Sequence, residues 1–349
     1  MEKKDAYLSL VEKSGYQGSK PYYKVLQIII TPDEAELLDS LPATIEELST
    51  RFNLKEKDVR NVLDKLFKLG VVSPVPWPVS VVSDRWAFVN NVEQLQMAVM
   101  MRNRTTEFYD VWRDLQIEVS AGVGKAPLPP IRYIRIIPYY KTVRNVPGAL
   151  PLDDLVEIFK AQESIALVEC CCKLAMRKCD VPLDVCIQFG FRAESMVARG
   201  IARKLSVNDA IEVLEKAEHT KTPVVHSLFT NSQKLDDITA LCDCCACCCG
   251  VNMADRSAGR KTWDLYAPSR FVNTVDQDKC DGCKLCLKRC NFGALKIKDG
   301  KATVDATKCV GCGSCIGFCP QDALALKVVR PLDFIPVVKQ EMPLMLGWV

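Results

Sequence analysis

The sequence predicts an α+β chain of several domains, and three patterns in it carry that expectation. Residues 32–75 place apolar side chains at helical spacing. Residues 151–265 alternate short apolar runs of strand character with amphipathic helical stretches, and their cysteines fall at the ends of the runs or between them. Residues 280–290, CDGCKLCLKRC, return as CVGCGSCIGFC at 309–319, an internal duplication with an offset of 29 residues. A chain of 349 residues is long enough for two or three cores.

In the N-terminal third, Leu37, Leu38 and Leu41 mark a first helical face, Ile45, Leu48 and Phe52 a second, and Val59, Val62, Leu63 and Leu66 a third. A β turn-back follows. The pattern resembles a winged-helix domain over residues 21–80, with the third helix in the recognition position. That helix offers Lys55, Lys57, Arg60, Lys65 and Lys68 to phosphate, but Glu56, Asp58 and Asp64 are interleaved among them. Docking to protein is therefore favoured over binding to nucleic acid. Residues 81–150 read as a long helix through VEQLQMAVMMRNRTTEFYDVWRDLQ, with Leu95, Val99, Phe108, Val111, Trp112 and Leu115 apolar, and then a linker containing APLPP.

The nineteen cysteines need a chemical explanation. Disulfide scaffolds belong to small secreted domains, the opening MEKKDAYLSL lacks the apolar stretch of an export signal, and neighbours such as Cys247, Cys248 and Cys249 are poor bridging partners. The expectation is a cytoplasmic protein with its thiols on metal. No apolar run approaches the ~20 residues of a membrane-spanning helix, so no span is expected.

Both C-terminal copies read CxxCxxCxxxC. Two residues between thiolates let a tight loop wrap three corners of one cubane while the fourth thiolate comes from the other copy. The segment resembles the bacterial two-cluster ferredoxin domain over residues 270–330. The resemblance implies that Cys280, Cys283, Cys286 and Cys319 hold one [4Fe-4S] cluster and Cys309, Cys312, Cys315 and Cys290 the other. Cys319 is followed by Pro320, as in that family, whereas Cys290 is followed by Asn291, so one turn lacks the φ restraint of proline. Each such cluster with its thiolates carries about −2, which would take the formal +3 to about −1 and removes basicity as an argument for nucleic acid. Lys279, Lys284, Lys288, Arg289 and Lys308 surround these cysteines, either as a solvated face or as a docking rim for an acidic partner.

Eleven cysteines remain. Cys170, Cys171, Cys172, Cys179 and Cys186 lie in one segment; Cys242, Cys244, Cys245, Cys247, Cys248 and Cys249 lie in LCDCCACCCG. In an extended 242–249 segment, alternation sends Cys242, Cys244 and Cys248 to one face and Cys245, Cys247 and Cys249 to the other, each set completed by a thiol from the 170–186 segment. That arrangement suits up to two further clusters. Alternatively the segment curls around one cubane, both groups share a larger iron–sulfur assembly, or the thiols hold structural zinc or another soft metal. The pattern also resembles a family of poorly characterised iron–sulfur proteins of anaerobic microbes. There a CxC with two spaced cysteines, here Cys170, Cys172, Cys179 and Cys186, precedes a CxCC group, here Cys242, Cys244, Cys245, Cys247 and Cys248. The resemblance spans residues 151–255.

Around these cysteines PLDDLVEIFKAQ and SVNDAIEVLEKAEH read as helices, the second with Ser206 and Asp209 in a capping pattern; IALVEC, VVHSLF and ITALCDC read as strands. His226 and His219 are the only histidines, and a lone histidine is more often a hydrogen-bonded structural residue than a ligand or proton relay. SAGVGKAPLPP lacks the full phosphate loop and no GxGxxG follows a strand, so neither an NTPase nor a dinucleotide enzyme is supported. Residues 331–349 form an apolar tail broken by prolines. No catalytic acid, base or nucleophile stands out. The sequence thus predicts an iron–sulfur electron-transfer protein, or the electron-transfer subunit of an anaerobic oxidoreductase system, working with a redox partner protein. Its rival is an iron–sulfur-dependent redox-sensing transcription regulator that binds DNA through the winged helix.

Overall fold

The computed structural model describes residues 5–75, 84–89, 104–125, 127–261 and 263–337. Its N-terminal part begins with helices whose starts are written in their caps. Asp5 caps α1 (Ala6–Lys13) and Ser19 caps α2 (Lys20–Ile29). Thr31 with Glu34 and Thr44 with Glu47 form reciprocal capping boxes on α3 (Pro32–Asp39) and α4 (Ile45–Phe52). Asn53, left-handed at φ 50°, ends α4 and turns the chain into α5 (Glu56–Lys68). Three short strands, β1 (Ala43–Thr44), β2 (Val72–Pro74) and β3 (Arg85–Phe88), pair antiparallel in the order β1-β3-β2. The expected apolar positions Leu37, Leu38, Leu48, Val59, Leu63 and Leu66 are all buried in one core.

The next helix, α6 (Thr106–Lys125), buries Phe108, Trp112 and Leu115. Leu95 and Val99, expected on the same helix, lie outside the described residues. Trp112 and Leu115 join the N-terminal core to Val168, Cys171, Leu174 and Ala175 of the cysteine-rich region.

That region is built on a seven-stranded sheet ordered β10-β4-β8-β9-β6-β5-β7, antiparallel except for its β10–β4 pair. In chain order its elements are β4 (Ile134–Ile136), α7 (Tyr140–Val143), α8 (Leu155–Lys160), β5 (Ile165–Val168), α9 (Cys171–Met176), β6 (Cys186–Phe189), α10 (Gly190–Ala198) and β7 (Arg203–Lys204). There follow α11 (Val207–Glu218), β8 (Val225–Phe229), β9 (Ala240–Cys244), α12 (Gly250–Ser257) and β10 (Tyr266–Ala267). Helices α8 and α11, the latter started by the Ser206–Asp209 box, pack Leu155, Ile158, Phe159 and Leu214 against Ile187, Phe189 and Leu241 of the sheet. The register sets Cys186, Cys242 and Ser227 in one row across β6, β9 and β8, so their side chains emerge as cross-strand neighbours.

The C-terminal region pairs β11 (Phe271–Val275) with β14 (Leu324–Val328), and β12 (Leu295–Lys298) with β13 (Lys301–Val304); α13 (Leu285–Lys288) is its short helix. Polar contacts fasten it to the sheet region. Arg270 pairs with the fully buried Asp153 at 2.6 Å, Tyr139 N donates to Cys312 O at 3.0 Å, and Arg289 donates to the carbonyls of Thr220 and Glu218 at 2.7 and 3.0 Å. The last of these places a guanidinium at the C-terminal end of α11, where it complements the helix dipole. Of the expected tail, residues 338–349 lie outside the described residues. Among the described residues no helix is long and apolar enough to cross a membrane.

Candidate metal centres

The duplication seen in the sequence is repeated in the geometry of the C-terminal thiols. Cys280, Cys283, Cys286 and Cys319 line one void; Cys290, Cys309, Cys312 and Cys315 line another. Ala302 N donates to Cys280 Sγ at 3.3 Å, and Asn273 N, one repeat earlier, donates to Cys309 Sγ at 3.4 Å. Likewise Ala294 N donates to Cys290 Sγ at 3.3 Å and Ala323 N to Cys319 Sγ at 3.4 Å. Two glycines at equivalent positions have positive φ and admit no side chain: a Cβ on Gly282 would sit 2.0 Å from Gly300 O, and one on Gly311 would sit 2.3 Å from Phe271 O. Each set therefore converges four thiols on a void, with amide donors aimed at sulfur. This donor set suits a [4Fe-4S] cluster, whose potential is tuned by such hydrogen bonds.

The two sets differ in their surroundings. Cys283 is exposed, and Lys279, Lys284 and Lys288 around it are exposed as well. The second set faces the sheet region, and burial pushes the Cys312 thiol up to about 12. It also receives a side-chain donor, Asn273 Nδ2 to Cys315 Sγ at 3.3 Å; the equivalent position in the first set is Ala302. Asn291, which stands where the ferredoxin pattern has proline, donates from Nδ2 to Pro223 O at 3.1 Å, a contact proline could not make. Arg289, grouped in the sequence with the docking lysines, is buried against α11 instead.

Residues 279–324 match the family model of the 4Fe-4S dicluster domain. The C-terminal region is a ferredoxin-like iron–sulfur domain. No curated protein matches the chain. The dicluster domain and the cysteines of the sheet region together support an iron–sulfur electron-transfer role.

In the sheet region the extended reading of 242–249 is overturned. Strand β9 ends at Cys244, where its pairing with Val225 of β8 ends, and the chain turns through residues 246–248 before Cys249 caps α12. The alternation therefore fails. Cys248 joins Cys245 and Cys247, while Cys249 returns to Cys244. The 170–186 segment donates to both groups, as expected, but in unequal numbers.

One group holds Cys179, Cys245, Cys247 and Cys248, whose sulfur atoms all lie within 4.8 Å of one another. The other gathers Cys170, Cys172, Cys186, Cys242, Cys244 and Cys249. Its Sγ contacts include Cys186–Cys242 at 3.9 Å and Cys244–Cys249 at 3.6 Å, and Cys170 hydrogen-bonds to Cys172. Five buried polar side chains point at its sulfurs. Gln116 Nε2 donates to Cys172 at 3.1 Å, Gln188 Nε2 to Cys186 at 3.0 Å and Ser227 Oγ to Cys244 at 3.4 Å. Tyr266 OH lies 3.1 Å from Cys249 Sγ and 3.7 Å from Cys244 Sγ, and Lys173 Nζ lies 3.8 Å from Cys170 Sγ. Hydrogen bonds from Cys242 and Cys249 hold the Cys244 thiol well below its ordinary range, the state a metal ligand needs. Burial alone would lower the Lys173 ammonium, yet the surrounding thiols and Asp243 raise it, so a fixed positive charge lies between the two groups.

His226 is fully buried, with both ring nitrogens engaged, Nδ1 to Asp243 at 2.5 Å and Nε2 to Glu218 at 2.8 Å, and the Tyr139 ring at 4.6 Å. It braces Asp243 between Cys242 and Cys244. His219 sits exposed at the end of α11, with Nδ1 2.6 Å from Glu215 O.

Sequence reasoning missed the residues between the two regions. Phe292 lines the void of the second C-terminal set; its ring lies 5.5 Å from that of Trp263, which lies 4.9 Å from that of Tyr266. Tyr266 touches Cys249. The available signal was two aromatics in WDLY, in the stretch linking the cysteine groups.

Proposed function

We propose that this chain is an electron-transfer protein that accepts single electrons from a redox partner at the dicluster domain and delivers them to a third iron–sulfur centre held by the six-thiol group. In this reading Cys280, Cys283, Cys286 and Cys319 hold the outer [4Fe-4S] cluster, and Cys290, Cys309, Cys312 and Cys315 the inner one. When bound, such clusters supply reversible one-electron transfer with little reorganisation. The observation that carries the reading is the unbroken succession Phe292, Trp263, Tyr266, Cys249, which joins the inner set to the six thiols.

The residues divide the work. Exposed Cys283 and its lysine rim give an acidic partner a place to dock over the outer set. Burial of Cys315, Trp263 and Tyr266 limits the access of water to the connection. The Gln116, Gln188, Ser227, Tyr266 and Lys173 donors stabilise negative charge on the six thiolates. The six thiols exceed the four that a single cubane takes, which supports a larger assembly at this site.

The helices α3 to α5 with the sheet β1-β3-β2 fit a winged-helix module, which we assign to protein docking. On α5, Arg60 pairs with Glu56 at 3.5 Å and Lys65 with Glu34 at 2.6 Å, so carboxylates engage two of the five cations in and beside this helix. A redox-sensing regulator would need that charge. The test mixes anaerobic protein with a reduced low-potential donor and follows visible absorbance: bleaching of the cluster bands supports electron uptake. A chain that accepts no electrons but binds duplex DNA with a steep salt dependence would refute the reading and favour the regulator.

A further inference from the structure

We propose that Cys179, Cys245, Cys247 and Cys248 bind a single zinc ion in tetrahedral coordination, distinct from any iron–sulfur cluster of this chain. Cys179 Sγ lies 3.7 Å from both Cys245 and Cys248, and Cys247 Sγ lies 3.5 Å from Cys245 and 3.7 Å from Cys248. Zinc–thiolate bonds of ~2.3 Å at the tetrahedral angle place their sulfurs about 3.8 Å apart. The four thiols thus already span the tetrahedron of one ion. A cubane sets four irons and four sulfides between its four ligands, and four sulfurs all within 4.8 Å of one another leave no room for them. The dicluster thiols show the contrast within the same chain, since each of those sets surrounds a void. The six-thiol group is no alternative home for the ion, because among the described residues its sulfurs form no set of three or more within 4.8 Å of one another.

The local backbone prepares the four sulfurs. Helix α9 ends at Arg177, left-handed at φ 49°, which swings the chain so that Cys179 leaves the helix and faces the 246–248 turn. Amides are aimed at the ligands: Cys248 N donates to Cys245 Sγ at 3.4 Å, Val181 N–H bonds to Cys179 and Lys178 N–H to Cys248. Such N–H···S bonds stabilise bound thiolates. Met176 and Met253 pack against the group. Four thiolates around a dication leave about −2, and the buried Lys173 beside Cys245 offsets one of these charges.

Four protein ligands make a closed site, and zinc does not change oxidation state, so the ion's role is structural. It ties the loop after α9 to the turn between Cys244 and Cys249, two members of the six-thiol group. The zinc therefore fixes the backbone that presents those sulfurs.

The test is metal analysis of the full-length protein purified without oxygen, alongside Cys245→Ser and Cys248→Ser. About one zinc per chain is expected, lost in both variants while the EPR signals of the dicluster domain persist. Zinc-edge X-ray absorption of the unmutated protein does not depend on the variants folding, and a shell of four sulfurs at about 2.3 Å is expected. Absence of zinc from the unmutated protein, a shell containing nitrogen or oxygen, or the loss of about four irons in place of zinc on mutation would overturn the proposal. These outcomes are separable from the electron-transfer reading, which is judged on iron and on reduction by a donor.

Discussion

The Tyr266 hydroxyl offers the sharpest probe of the third centre. Tyr266→Phe deletes one oxygen atom that lies 3.1 Å from Cys249 Sγ and 3.7 Å from Cys244 Sγ, and it keeps the ring that packs 4.9 Å from Trp263. The site is buried, with Tyr266 5% exposed, so water does not replace the lost donor. A hydrogen bond to a charged acceptor contributes about 1.5–3 kcal/mol, and the reduced centre, carrying one more negative charge, uses the bond more strongly than the oxidised one. If roughly half of that energy distinguishes the two states, about 1 kcal/mol is lost from the reduced form, which for one electron is on the order of 50 mV. The sign is fixed by the physics: losing a donor lowers the potential. An EPR-monitored anaerobic redox titration should show the third centre moved down by that amount and the dicluster signals unmoved. An unchanged or raised potential, or an equal shift in the dicluster signals, would refute the placement of Tyr266 on this centre.

Other substitutions test other parts of the account. Gly282→Ala forces a Cβ to 2.0 Å from Gly300 O at φ 74°, so iron per chain should fall by about four, with one dicluster signal lost. Arg270→Met removes the 2.6 Å partner of the fully buried Asp153, leaving that carboxylate the Leu150 amide and the nearby buried Arg135, and should cost about 1.5–3 kcal/mol, read as a lowered thermal midpoint. His226→Gln should change how stability depends on pH. Burial alone would lower this imidazole, but Asp243 and Glu218 raise it to about 10, so its stabilising charge is fully present below the unfolded value near 6.5 and is lost as pH climbs through 10. The unmutated protein should lose stability across that window, and the variant should show a shallower decline in anaerobic denaturant titrations at several pH values.

The parts legible in the sequence were those set by local spacing. The repeated CxxCxxCxxxC foretold two four-thiol sets because each loop wraps its own sulfurs, and the hydrogen bonds from Asn273 and Ala302 repeat with the same 29-residue offset. The capping pair Ser206 and Asp209 announced its helix because the bonds span only three positions. The partition of Cys242 to Cys249 was not legible, since it depends on where β9 stops, and that is set by its pairing with β8, which ends at Val225, and not by the spacing of the cysteines. The sulfur donor Gln116 was invisible because it arrives from α6, and only tertiary packing brings it to Cys172; Gln188 stands two residues from Cys186 on β6, a neighbour by strand alternation.

The claim that the chain conducts electrons through clusters at both the dicluster domain and the six-thiol group is tested most directly by counting iron and acid-labile sulfide on anaerobic protein, with low-temperature EPR of its reduced form. The account predicts more than about eight irons per chain, with the excess removed by Cys242→Ser together with Cys244→Ser while the dicluster signals remain. A count of about eight that this double variant leaves unchanged would contradict it, and colourless protein holding zinc alone would contradict it entirely.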